Sequence, residues 1–239
     1  MKFILFYYPF NIFWIATICP LISLSIQYSS SLFLNGLCSQ MIPIIPHLFS
    51  EHFNMKVAIL FDLLGGVSIV LITKEILGFL SKIPDEKASK NIQIYRIILL
   101  IGGPVISITL LMIHFLDLNQ SAIFTFLNLL FFYVSASLFH YVADKIPRRY
   151  HLMSDISSTV TYLLIAFSAI SMTLFFLCCF SHKIDVFYTI SALAQYLAFL
   201  LVFVKFIFSA ISLYGPQFLS IFVHNIPTKR SPKYSRISA

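Results

Sequence analysis

The sequence predicts an all-α membrane protein, a six-transmembrane-helix bundle with both termini in the cytosol. The chain of 239 residues is 59% hydrophobic and only 10% charged, whereas a soluble domain carries about 25% charged residues. Six apolar runs are each long enough to cross a bilayer as a helix, which takes about 20 residues. Most Lys and Arg residues, finally, flank one side of these runs.

The six runs are separated by short polar segments, and together they form one predicted transmembrane domain over residues 1–214. None of the runs alternates between polar and apolar residues, as the strands of a membrane β-barrel do. The first run stays apolar well beyond the core of a signal peptide, which spans about 7–15 residues, so we expect it to be retained. The predicted helices are Phe10–Leu34, Val57–Leu80, Ile92–Leu116, Ser121–Val142, Ile156–Phe180 and Val186–Tyr214.

The distribution of positive charge predicts the orientation. Thirteen of the 16 Lys and Arg residues lie on the side of the two termini, and only Lys56 and Lys183 lie on the other side. Positively charged segments stay in the cytosol, so residues 35–54 are expected to face the lumen or the exterior. Lys205, inside the sixth run, is expected to snorkel towards the cytosolic interface. Residues 215–239 hold no acid and are predicted to be a basic cytosolic tail, largely disordered.

The net charge of +7 follows from this bias in the segments that flank the helices. Basic segments beside a membrane attract anionic lipid headgroups. Membrane lipids are therefore the expected partners, possible membrane-protein partners stay open, and no nucleic-acid partner is predicted.

Several strongly polar residues lie inside the apolar runs. Polar side chains are costly in hydrocarbon and usually face the interior of a bundle. Counted along their helices, three of them lie roughly 10–14 Å below the luminal ends, and a histidine lies near the luminal mouth. We predict a luminal polar cluster that binds a ligand, formed by Asp62, His114, Asn128, Gln195 and Tyr188.

The segment between the first two runs is the longest luminal connection. Pro43 and Pro46 restrict the backbone, so we expect Pro43–Pro46 to run as an extended piece and not as helix. Ile44 and Ile45 are too apolar for a free aqueous loop and are expected to dip onto the bundle as a lid. His47, Glu51 and His52 would then stand at the rim of the cluster. A loop that merely caps the helices is the alternative.

The sequence contains no metalloprotease, serine-hydrolase or P-loop motif, and neither a metal site nor a cofactor is predicted. Asp62 with His114 and a nearby Ser or Tyr is the constellation that would support hydrolytic chemistry. Cys38 is expected on the luminal side, where it could form a disulfide with Cys178 or Cys179. The alternative is that these cysteines are small buried apolar side chains.

The segment after the first run carries a resemblance to a known family. Pro43–His47 reads P-I-I-P-H and is followed by Ser50 and Glu51, while Pro9 precedes the first span and Trp14 lies within it. These features resemble the Frag/DRAM/Sfk family, whose loop typically reads P-x-x-P-Y-I-S-D-T-G. The family includes the damage-regulated autophagy modulators. It is related to the N-terminal region of the yeast cell-wall protein that remodels glycosylphosphatidylinositol lipids.

The resemblance covers Phe6–Tyr214 in helix number and loop length, but the chain departs from the family pattern at several positions. His47 stands in place of Tyr, Glu51 in place of Asp, and the Thr-Gly pair is missing. Asn119–Ala122 replaces a turn that contains His and Gly in relatives, and Gln195 is neutral where relatives often carry an acid. The chain therefore lacks part of the set that a lipid-remodelling relative would use chemically.

The resemblance implies a DRAM-like, non-enzymatic regulator of autophagy or of membrane lipid organisation, in the endolysosomal or plasma membrane. The alternative is a remodelling factor for glycosylphosphatidylinositol lipids, an enzyme or its obligate partner, in the secretory pathway. A small receptor or transporter is less well supported, because no internal repeat is evident.

Overall fold

The computed structural model describes residues 2–35, 45, 55–81, 90–116, 121–145, 154–181 and 185–214. Within these residues six long helices form, and each contains a segment long and apolar enough to cross a membrane. The prediction of an all-α, multipass membrane protein is therefore confirmed. The helices are α1 (Lys2–Asn35), α2 (Met55–Ser81), α3 (Lys90–Met112), α4 (Ala122–Lys145), α5 (Ser154–Ser181) and α6 (Asp185–Tyr214).

The predicted helix boundaries hold to within a few residues except at two places. Helix α1 begins at Lys2 and not at Phe10, and α3 ends at Met112 and not at Leu116. After Met112 the chain turns, with the amide of His114 donating to Leu111 O and that of Phe115 to Met112 O. These bonds span three residues and close the helix with a tight turn.

Each helix packs against its neighbours in chain order, and α6 returns to contact α1, so the helices form a closed ring. Helix α6 also contacts α4 across this ring. In its span 56% of the residues are buried, against 33–39% in the other five spans. Helix α6 is therefore the central element of the bundle, and polar residues on it face protein more often than lipid.

An even number of antiparallel helices places the beginning of α1 and the end of α6 at the same end of the bundle. We call this the terminal end. The opposite end, where α1 ends and α2 begins, is the loop end. The assignment of the terminal end to the cytosol stays a prediction from the charge distribution.

The core between α4 and α6 is aromatic. The ring centroids of Phe132 and Phe199 lie 5.8 Å apart, and those of Phe139 and Phe206 lie 5.9 Å apart. In contrast, Leu100 and Phe124 expose 60% and 64% of their surfaces on the outside of the bundle. In a bilayer both environments are apolar, so the helices associate through tight packing and hydrogen bonds and not through the hydrophobic effect.

Two glycines bring the first three helices close together. A Cβ on Gly65 of α2 would lie 2.6 Å from Pro20 Cγ of α1, and one on Gly103 of α3 would overlap Thr73 Oγ1 of α2. Small residues at such positions permit a close approach of membrane helices. The approach at Gly65 lies within one turn of Asp62, and it carries the carboxylate of Asp62 into contact with α1.

Candidate functional site

At the loop end, three elements meet on one carboxylate. Asp62 Oδ2 accepts a hydrogen bond of 2.8 Å from Ser23 Oγ of α1 and lies 2.6 Å from His114 Nε2. The turn after α3 directs His114 inward, and the side chains of Asp62 and His114 are both fully buried. The structure thus brings Asp62 and His114 together, as expected from the sequence, and adds Ser23 to them.

Other polar atoms of this region have no hydrogen-bond partner among the described residues. They are Asp62 Oδ1, both amide atoms of Gln27, and Gln195 Nε2. Gln27 lies on the same face of α1 as Ser23, one turn closer to the loop end, and is fully buried. Most buried polar groups in proteins are hydrogen-bonded, so each exception requires an explanation. The loop-end cluster is defined as Ser23, Gln27, Asp62, His114 and Gln195.

Ile45 closes the loop-end cluster from above. It is fully buried in the hydrophobic core, and its N–H donates a 3.0 Å hydrogen bond to Gln195 Oε1. The expectation that Ile45 dips onto the bundle is confirmed. The expectation of extended backbone is wrong at this residue, because Ile45 is helical. A following proline disfavours helical backbone without forbidding it, and burial together with the bond to Gln195 stabilises this conformation.

The remaining rim and cysteine predictions fall where the structure gives no side-chain description. His47, Glu51, His52 and Cys38 lie outside the described residues. Cys178 and Cys179 belong to α5, but their side chains are not described. The rim residues and the disulfide therefore stay predictions.

Two residues predicted for the cluster have other contacts. Asn128 Nδ2 of α4 donates a 3.0 Å hydrogen bond to Thr109 O, so it ties α4 to α3. Tyr188 is half-buried near the beginning of α6 and packs against the hydrophobic core. Both lie in the loop-end half of the bundle.

Sequence reasoning missed Gln27 and Ser23. Gln27 carries the same signal that singled out Asn128 and Gln195, a primary amide inside an apolar run. Ser23 has no such signal, because serine is common on the packing faces of membrane helices. Only the contact with Asp62 identifies it.

A second group of polar residues lies inside the terminal end. Lys205 Nζ of α6 lies 2.7 Å from Asp144 Oδ1 of α4 and 2.8 Å from Ser157 O of α5. It also contacts Ser157 Oγ, and its side chain is fully buried. The prediction that Lys205 snorkels to the cytosolic interface is therefore wrong. Asp144, at the end of its helix, had not been considered as a partner, and it is the residue that keeps Lys205 inside.

The carboxylate of Asp144 is saturated by its neighbours. Asp144 Oδ1 also accepts from Ser157 Oγ at 3.0 Å, and Oδ2 accepts from Thr161 Oγ1 at 2.6 Å. The three N–H bonds of the ammonium match its three acceptors. A buried ion pair repays its desolvation only when the remaining donors and acceptors are satisfied, and this condition is met here. We call Asp144, Ser157, Thr161 and Lys205 the terminal-end cluster.

His140 lies next to the terminal-end cluster. Its Nε2 donates to Val202 O at 3.0 Å, and its ring centroid lies 4.7 Å from that of Phe206. These contacts add another link between α4 and α6. They hold the imidazole at the aromatic core and not at the carboxylate of Asp144.

The arrangement at the loop end differs from a serine-hydrolase triad. In a triad the imidazole lies between the serine and the carboxylate, whereas here Asp62 lies between Ser23 and His114. Ser23 donates to Asp62 and so is not activated as a nucleophile by His114. Within the described residues, no group of three or more His, Cys, Asp or Glu side chains is placed to hold a metal ion. The cluster is better suited to hold a hydrogen-bonding group.

Comparisons of the chain with models of protein families, with curated proteins and with solved structures find no match. The resemblance to the Frag/DRAM/Sfk family accordingly stays a prediction from the sequence. What the structure establishes is an integral multipass membrane protein with a buried, incompletely bonded polar cluster near one end of its helix bundle.

Proposed function

We propose that this protein is a non-enzymatic, DRAM-like regulator of autophagy or of membrane lipid organisation, and that it acts by binding a membrane lipid in the loop-end cluster. The observation that carries the proposal is the state of Asp62. One of its oxygens contacts Ser23 and His114, and the other has no partner among the described residues although the side chain is fully buried. Intramembrane ionisable residues usually mark a ligand or ion pathway.

The order of the contacts supports binding over catalysis. A carboxylate held by a hydroxyl and an imidazole is oriented, and its free oxygen can accept a hydrogen bond from a ligand. The membrane expected for this function is endolysosomal or plasma membrane. Other membrane proteins are proposed as partners in the same pathway.

One observation favours a second candidate function, the remodelling of glycosylphosphatidylinositol lipids. Asp62 and His114 are 2.6 Å apart, and an imidazole oriented by a carboxylate is a frequent general base. In this second reading His114 would be the base and the protein would act in the ER or Golgi, alone or with an obligate partner.

A knockout followed by complementation separates the two candidates. Cells that lack the protein are complemented with the wild type, with Asp62→Asn, or with Asp155→Asn as a matched control at an exposed carboxylate. Autophagic flux, localisation and the lipid part of glycosylphosphatidylinositol anchors are measured in each line. We expect altered flux with normal anchors, rescue by the wild type and Asp155→Asn, and no rescue by Asp62→Asn.

The opposite pattern, altered anchor lipids with normal flux, would select the second candidate. Normal flux together with normal anchors in the knockout would overturn both.

A further inference from the structure

We propose that the loop-end cluster recognises a neutral single-chain lipid with a vicinal diol, a monoacylglycerol acylated at position 1, and that Gln27 is its main hydrogen-bonding contact. The acyl chain of this lipid would lie in the groove between α1 and α6. The inference rests on the proposed function only in assuming that the cluster holds a lipid. It adds the chemical class of that lipid, a contact residue and a path from the bilayer.

The unpartnered atoms of the cluster define the ligand. Two of them are acceptors, Asp62 Oδ1 and Gln27 Oε1, and two are amide donors, Gln27 Nε2 and Gln195 Nε2. A matching headgroup must therefore donate at least two hydrogen bonds and also accept from amides. Two adjacent hydroxyls meet both conditions. A fully esterified headgroup provides no donor.

The unpartnered atoms lie close to one another along the direction of the helix axes. Ser23, which contacts Asp62, is one turn from Gln27, or about 6 Å along α1. Gln27 and Gln195 each directly precede a tyrosine, and these two tyrosines, Tyr28 and Tyr196, stand edge to face with ring centroids 6.0 Å apart. The contact between the tyrosines places the two glutamines at the same level of α1 and α6.

A groove lies on the outer side of the same two helices, and Tyr28 and Tyr196, which line it, directly follow Gln27 and Gln195 in the sequence. Its volume is about 480 Å³, which is within the range of about 300–1,000 Å³ found for small-molecule sites. It combines apolar leucine side chains, suited to an acyl chain, with serine and tyrosine hydroxyls. One groove accommodates one chain, which favours a monoacyl over a diacyl lipid. The groove is lined by Leu24, Ser25, Tyr28, Ser29, Leu193 and Tyr196.

The charge of the cluster argues for a neutral headgroup. No Lys or Arg belongs to the loop-end cluster, and Lys56, at the beginning of α2, is exposed. A phosphate buried in this cluster would have no Lys or Arg to pair with, and burying a charge without a permanent counter-charge is costly. A diol avoids this cost and still satisfies the unpartnered atoms.

Photocrosslinking of the full-length protein in nanodiscs tests the proposal. Three photoactivatable probes with the same acyl chain are compared: a monoacylglycerol, a fatty acid ethyl ester without hydroxyls, and a lysophosphatidic acid with a phosphate. We expect the monoacylglycerol to label the protein at least tenfold more than the other two. Labelling should map to α1 and α6 and be competed by unlabelled monoacylglycerol.

Gln27→Leu is the informative variant, because leucine has a similar size and removes both amide atoms. Its matched control is Gln93→Leu, the same substitution at an exposed position of α3. We expect labelling by the monoacylglycerol to fall at least tenfold in Gln27→Leu and to stay unchanged in Gln93→Leu. Added monoacylglycerol should also raise the Tm of the wild type and of Gln93→Leu, but not that of Gln27→Leu. If Gln27→Leu yields no folded protein, Gln27→Met replaces it.

Equal labelling by the monoacylglycerol and the ethyl ester would show that only the chain is bound, and would overturn the proposal. Preferred labelling by lysophosphatidic acid, or undiminished labelling of Gln27→Leu, would overturn it as well. Failure here leaves the cellular result for Asp62→Asn intact, so it refutes the lipid class and not the proposed function. Conversely, diol labelling with normal flux and anchors in the knockout refutes the proposed function alone.

Discussion

The loop-end and terminal-end clusters are built from similar groups but differ in completeness. Each contains a buried carboxylate, a basic side chain and a hydroxyl, and each joins three elements of the bundle. At the terminal end both oxygens of Asp144 and the ammonium of Lys205 are fully bonded. At the loop end, Asp62 Oδ1 and the amide atoms of Gln27 have no partner among the described residues.

This difference separates a structural role from a binding role. A saturated ion pair has no remaining group with which to bind a ligand, and breaking it leaves a charge buried without a partner. An unsaturated cluster costs folding free energy and has hydrogen-bonding capacity left over. Substitutions at the terminal end should therefore reduce stability most, and those at the loop end should reduce function most.

The prediction with the largest effect concerns which half of the membrane each cluster occupies, since its outcome is all-or-none. Thirteen Lys and Arg residues on the side of the termini predict that the terminal-end cluster lies in the cytosolic half of the membrane and the loop-end cluster in the luminal half. Reporters fused to either terminus should read as cytosolic in a protease-protection assay. A protected C-terminal reporter would reverse the sidedness of both clusters.

Lys205→Met should have the largest effect on stability. It leaves the carboxylate of Asp144 buried without its cation, at a cost of about 3–5 kcal/mol, so folded yield and Tm in detergent should fall sharply. The double variant Lys205→Met, Asp144→Leu removes both charges and should recover much of the loss. If the single and double variants were equally unstable, the ion pair between Lys205 and Asp144 would not be what stabilises this end of the bundle.

Asp62→Asn should have a smaller effect on stability and a larger one on function. Asparagine keeps an acceptor for Ser23 Oγ but is a weaker partner for His114 Nε2 than the carboxyl group. A change in one hydrogen bond is worth about 0.5–1.5 kcal/mol. Thermal unfolding should show this modest loss, while complementation of the knockout fails. Full complementation by Asp62→Asn would remove the functional contrast between the clusters.

The two clusters can be compared by the same chemical change, the removal of one hydroxyl that donates to the carboxylate. Thr161→Val deletes the bond to Asp144 Oδ2, and Ser23→Ala deletes the bond to Asp62 Oδ2. Each should cost about 1–3 kcal/mol, because a charged acceptor loses a donor. Only Ser23→Ala should also lower complementation of the knockout. Loss of function in Thr161→Val at normal folded yield would assign function to the terminal end.

The smallest expected effect is a gain of stability. Gln27→Leu removes two unpartnered polar atoms from a buried position and should raise the free energy of unfolding in lipid-free detergent by on the order of 1 kcal/mol. Chemical or thermal unfolding of the purified protein measures it, with Gln93→Leu as the control. A loss of stability would mean that Gln27 is already paired within the bundle.

Hydropathy and charge in the sequence were sufficient to predict the six helices and the burial of Asp62. Both depend on local composition, because about 20 apolar residues cross a bilayer wherever they occur, and an aspartate inside such a run avoids lipid. The depth of a residue also follows from the sequence, since a helix rises about 1.5 Å per residue. This is why Asp62 and His114 were correctly expected at the same end.

The partners of these residues were decided only by the tertiary structure. Depth along a helix does not determine which neighbour a side chain faces, because that depends on how each helix is rotated and how closely it approaches the next. The close approach at Gly65 and Pro20 brings Ser23 to Asp62, and the central position of α6 turns Lys205 towards Asp144. Rotation and approach arise from packing between residues far apart in the chain, so local composition alone predicts neither contact.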